Sequence, residues 1–197
     1  MQRTAQDWIV VTQLSDVDAT ALSICMALQL GPQLLLFPVA GSLADRFRRR
    51  WMLLVTQVLQ GSMGLILFAL TVTDVIVLWH VYLLALSLGI VATFDAPVRQ
   101  AFVSELVGEK LLPNAVSLNS ASFNTARMLG PAVAGVLTAS LGAALVFLLS
   151  GLAFAATVTV LLSLDGSSLR SPSRESRRGP GPGIGGGFRH LRARPGI

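Results

Sequence analysis

Arg127 stands in the middle of an otherwise apolar stretch, Asn114–Ser140, and Ser117, Ser120 and Asn124 precede it at spacings of three and four residues. In a helix that spacing stacks the four side chains on one face. A polar stripe closed by a guanidinium suits the lining of a water-filled cavity, where the cation would hold an anionic substrate or a carboxylate partner. A stripe that only packs against another helix, with Arg127 satisfied by backbone carbonyls, has the same spacing. Arg3 and Asp7 stand one helical turn apart and share a face, with Gln6 beside them. Asp7 is the one carboxylate expected well inside an apolar layer, which makes it the candidate for proton exchange. The alternative for it is a permanent ion pair with Arg3 or Arg127. Asp95 and Arg99, also one turn apart, close another apolar stretch at the level of Asp45 and the cluster Arg46–Arg50. Opposite charges gathered at one level can form a latch that makes and breaks as helices rock. A solvated cluster that serves only as a topology signal fits equally, because an exposed ion pair is worth under about 1 kcal/mol.

Other chemistries have little to stand on. The chain offers no Cys/His cluster, no Ser/His/Asp set and no carboxylate pair at hydrolase spacing, so neither an enzyme nor a metal or other cofactor is expected. Cys25 is the single cysteine and lies in an apolar run, where it reads as a small core residue. Trp79 and His80 sit at the start of an apolar run, as interfacial anchors do. The glycines Gly181, Gly183 and Gly185–Gly187 follow no strand and are interrupted by Pro180 and Pro182, so a linker, not a phosphate loop, is expected.

The elements that must carry these residues follow from hydropathy. Of 197 residues, 53% are hydrophobic and only 13% charged, against about a quarter charged in a soluble domain. A bilayer core about 30 Å thick needs about 20 apolar residues in helical form. Stretches 19–43, 51–72, 75–94, 114–140 and 143–164 meet that length, and 1–14 reads as part of a further helix, either missing its start or lying at the interface. Residues 165–197 change character: Gly, Pro, Ser and Arg dominate from Asp165 to Gly187, a composition that cannot bury enough apolar area to fold. They read as a cytoplasmic linker ending in the start of a basic amphipathic helix at Phe188–Arg192. Arg46, Arg48, Arg49 and Arg50 fall in one connection, Arg99 and Lys110 in the next but one, and seven arginines in the tail. The alternate connections hold Asp16, Asp18 and Asp74 and no Lys or Arg. One-sided basic residues place those turns in the cytoplasm. That topology accounts for the pI near 11 without a nucleic-acid partner.

The stretch Gly41-Ser42-Leu43-Ala44-Asp45-Arg46-Phe47-Arg48-Arg49-Arg50 resembles the loop between the second and third helices of major facilitator carriers, G-x-x-x-D-R/K-x-G-R/K-R/K. Gly41, Asp45, Arg46, Arg49 and Arg50 match, and Arg48 replaces the second glycine. Gly130-Pro131-Ala132-Val133-Ala134-Gly135 is similar to the fifth-helix signature of drug–proton antiporters, G-x-x-x-G-P-x-x-G-G, with Ala126 and Ala134 in place of two glycines. Residues 1–8, 94–102 and 113–127 resemble the subgroup that includes the enterobactin exporter.

The resemblance implies an all-α membrane protein: the N-terminal six-helix bundle of a major facilitator fold, with the first helix truncated. It implies a multi-pass protein of the plasma (inner) membrane that exports a small amphipathic or anionic compound, siderophore- or drug-like, against protons. The loop and Asp95 with Arg99 would latch it, and Gly130, Pro131 and Gly135 would kink helix five beside the cavity. Its partners would be lipid, substrate, protons and a C-terminal half, without which the chain should not transport. The rival reading is a non-transporting membrane fragment that at most pairs with another transporter half.

Overall fold

The computed structural model describes residues 1–14, 18–44, 49–106 and 111–163, and these form helices with no strand among them. Helix α1 (Gln2–Ile9) runs into a π-helical turn at Val10–Leu14. It is followed by α2 (Ala19–Ala44), α3 (Arg49–Val72), α4 (Leu78–Leu106), α5 (Leu112–Leu141) and α6 (Ala143–Ser163). Four segments are long and apolar enough to cross a membrane: Ala19–Pro38, Arg49–Val72, Leu78–Val103 and Ala143–Ser163. The chain is therefore a multi-pass membrane protein whose described elements are all helices. At 30 residues α5 is long enough, but it is not among the four. Its polar side chains, Ser117, Ser120, Asn124 and Arg127 among them, dilute its apolar character.

Helix α4 continues through Asp95-Ala96-Pro97, where the sequence suggested an end at Phe94. Tertiary burial outweighs the local proline signal there. Val98 and Phe102, both beyond Pro97, are buried in one apolar cluster with Leu53 and Leu54 of α3 and Leu161 of α6. Gly142 alone separates α5 from α6, at φ 84°, a backbone conformation that suits a residue without Cβ.

The most extensive packing joins α2 to α4 and α3 to α6, with α3 also against α4, while α1 lies against α5 and α6. At the α2–α4 crossing a Cβ on Gly89 would stand 2.6 Å from the Gln29 carbonyl oxygen, so the two backbones are in direct contact. A second apolar cluster gathers Ala5 and Ile9 of α1, Leu67 of α3, Ala134 of α5 and Ala143, Val146 and Phe147 of α6. Only Ala134 and Thr138 of α5 are buried. Leu118 and Met128 are 70% and 79% exposed, which leaves most of this helix open on the described chain.

Candidate functional site

One carboxylate, Asp7, lies between α1 and α2. Gln29, on α2, donates from Nε2 to Asp7 Oδ1 at 3.1 Å, and Cys25, one turn earlier, donates from Sγ to the same oxygen at 3.8 Å. Gln29 Nε2 also reaches Gln6 Oε1 and Cys25 Sγ, each at 3.5 Å. Gln29 and Gln6 are buried, and Asp7 is half-buried. Asp7 thus receives neutral donors from the neighbouring helix and has no cation within 4 Å among the described residues. Arg3, half-buried one turn away on α1, lies within electrostatic range of both Asp7 and Arg127. Beside it, Gln2 is buried with neither end of its amide bonded, and the amide nitrogen of the fully buried Gln6 is also without an acceptor.

Ser120, Asn124 and Arg127 are exposed along the open part of α5 and hydrogen-bond to none of the described residues. The structure therefore brings Arg3, Gln6 and Asp7 together and relates them to Arg127 only through Arg3. Helix α5 runs on through Pro131, and a Cβ on Gly130 or Gly135 would meet nothing within 4 Å, so neither glycine serves a close contact with a described neighbouring helix.

Arg49, Arg50 and Arg99 gather at one end of the bundle. Arg49 donates to the Ala101 carbonyl near the end of α4 at 3.3 Å. Arg50 donates from Nε and Nη2 to the Leu161 carbonyl at 3.2 and 2.9 Å, and from Nη2 to Leu162 at 3.2 Å, capping the last turn of α6. A cation there meets free carbonyls and the negative end of the helix dipole. Asp95 is a fully engaged carboxylate, not a solvated one. Its Oδ1 accepts from Thr56 Oγ1 at 2.9 Å and Gln57 Nε2 at 2.8 Å, and its Oδ2 from Arg99 Nε and Nη2 at 3.2 and 2.7 Å. Gly41 is exposed in the last turn of α2; Asp45 and Arg46 lie outside the described residues, as does the expected linker 165–197.

Sequence reading missed Gln29, Thr56 and Gln57, and took Cys25 for core alone. The signal for Gln29 was an amide set in the apolar run 19–43, one turn after Cys25. Nothing in the sequence paired it with Asp7, 22 positions earlier.

Residues 1–190 match the family described as transmembrane secretion effector. The chain is 30% identical over 175 residues to the staphyloferrin A transporter of Staphylococcus aureus, a match that covers 88% of this chain and 44% of that protein. It is 30% identical over 175 residues to multidrug resistance protein 1 of Bacillus subtilis, covering 89% and 42%. With the enterobactin exporter of Shigella boydii it shares 30% identity over 160 residues, covering 80% and 37%. The chain thus spans less than half the length of these curated relatives. No solved structure matches it at a significant level.

Proposed function

The chain belongs to the transmembrane secretion effector family of the major facilitator superfamily, and we propose that it forms the N-terminal half of a proton-coupled exporter. The cargo is a small amphipathic or anionic compound, siderophore- or drug-like. A staphyloferrin A transporter, an enterobactin exporter and a multidrug resistance protein among the relatives support that class of cargo.

The observation that carries the coupling is the setting of Asp7. A carboxylate in a membrane-embedded helix is costly and marks function by default. This one is held by Gln29 and Cys25, donors that leave its charge unneutralised, so a proton can come and go without breaking an ion pair. Arg3, between Asp7 and Arg127, gives the pathway a cation for an anionic cargo, and Ser120 and Asn124 extend the polar face on α5. The open flank of α5 supports pairing with a second helical half. In such pairs, rocking of the halves alternates access to a site at the midplane. Asp45, Arg46, Arg49, Arg50, Asp95 and Arg99 form the gating end, which faces the cytoplasm by the distribution of basic residues.

Efflux from cells expressing the complete transporter gene tests this reading. Asp7→Asn should abolish the proton dependence of efflux, and Arg127→Ala should weaken efflux of anionic cargo. Proton-dependent efflux unchanged in both variants would remove the assignment.

A further inference from the structure

Gln29 is 4% exposed, and its amide nitrogen has three acceptors in reach: Asp7 Oδ1 at 3.1 Å, Gln6 Oε1 at 3.5 Å and Cys25 Sγ at 3.5 Å. An amide nitrogen carries two hydrogens, so the three compete. The charge on Asp7 decides the competition. An ionised carboxylate draws the amide hydrogen in a charge-assisted bond, whereas a protonated one is a weaker acceptor. Gln6 is the natural second acceptor: it is fully buried, so its oxygen has no solvent to turn to and depends on protein donors. The Gln29 backbone cannot follow the bond, because Gly89 of α4 is seated against its carbonyl. Only the side chain moves.

The charged and titratable groups around this cluster are few. Arg3 lies on α1 itself, Cys25 on α2, and Arg127 on α5 acts on Arg3. From α4, Tyr82 faces Cys25, and α6 carries no titratable side chain. Among the described residues no cation bonds Asp7, and Gln29 is the closest group that senses its charge.

We propose that Gln29 is the positioning residue of the proton site, holding Asp7 while it is ionised and passing its hydrogen bond to Gln6 when Asp7 takes up a proton. The proton comes from water and returns to it; only hydrogen bonds are exchanged. Gln6 and Asp7 are adjacent in α1, about 100° apart around its axis. Loading a proton therefore moves the α1–α2 tie around the surface of α1, which is how occupancy of one carboxyl reaches the packing of two helices. The inference rests on reading Asp7 as the proton site.

Infrared difference spectroscopy of the complete transporter in phosphatidylethanolamine–phosphatidylglycerol vesicles, with protons as the only ligand, tests it. The protonated-carboxyl band missing from Asp7→Asn reports this site. Gln29→Met, near in shape but without the donor, should displace the pH half-point of that band by about one unit, a tenfold change in proton concentration. Gln6→Met, which removes the second acceptor, should displace it in the opposite direction. A merely structural role would leave both half-points in place, and that result overturns the proposal. If Gln29→Met does not fold, Gln6→Met carries the test alone. No band lost in Asp7→Asn would overturn the reading of Asp7 as well, which distinguishes the two failures.

Discussion

Gly89 of α4 is seated on the backbone of Gln29 in α2, with room for a hydrogen but not for a methyl group: a Cβ there would lie 2.6 Å from the Gln29 oxygen and 2.9 Å from the Leu28 oxygen. This contact fixes the register of the two helices and, through it, the place of the side chain that holds Asp7. Gly89→Ala must push backbone from backbone, and should destabilise the protein by about 1–3 kcal/mol. Thermal unfolding in detergent would measure the loss. The same variant should impair the proton dependence of efflux.

The α3–α6 crossing provides a contrast. A Cβ on Gly151 would lie 2.8 Å from Leu65 Cδ2 and 2.9 Å from its Cγ, side-chain atoms that can turn aside together, while the nearest backbone atom, the Gly61 oxygen, is 3.5 Å away. Gly151→Ala should therefore cost less than Gly89→Ala in the same unfolding assay, and adding Leu65→Ala should relieve what strain remains. Equal losses for the two glycine variants would contradict the geometry.

Asp95 of α4 is tied to α3 by two neutral donors, Thr56 and Gln57, and paired with Arg99 within its own helix, with its side chain 12% exposed and that of Arg99 40% exposed. Asp95→Asn turns an amide toward Arg99 or toward Thr56 and Gln57, and leaves donors without an acceptor in either case. Its cost should be about 2–3 kcal/mol. Arg99→Ala removes a half-exposed partner that solvent already screens, and should cost about 1 kcal/mol or less. Unfolding of the two single variants checks the order.

Arg50 caps α6 through its guanidinium fork, with bonds to the Leu161 and Leu162 carbonyls. Arg50→Ala should speed hydrogen exchange in the last turn of α6. Arg50→Lys should recover only part of the protection, since an ammonium cannot reproduce the planar fork. Exchange mass spectrometry of peptides covering 155–163 reads this directly.

Arg127 is exposed on α5 without a bond to the described residues. Arg127→Ala should change stability by no more than about 0.5 kcal/mol, yet lower export of anionic cargo by the complete transporter. A large stability loss would assign Arg127 to packing.

Sequence alone determined the solvent. Apolar runs of spanning length and few charges dictate membrane helices, because a bilayer leaves the backbone no partner but itself. The same sequence singled out Asp7, Arg3 and Arg127, since charges inside apolar runs are visible without any fold. Which groups answer those charges was decided by tertiary structure. Gln29 meets Asp7 and Thr56 meets Asp95 across 22 and 39 positions of chain, and no local periodicity encodes contacts of that span. The end of α4 was misjudged for the same reason: proline speaks locally, while the burial of Val98 and Phe102 depends on helices distant in sequence.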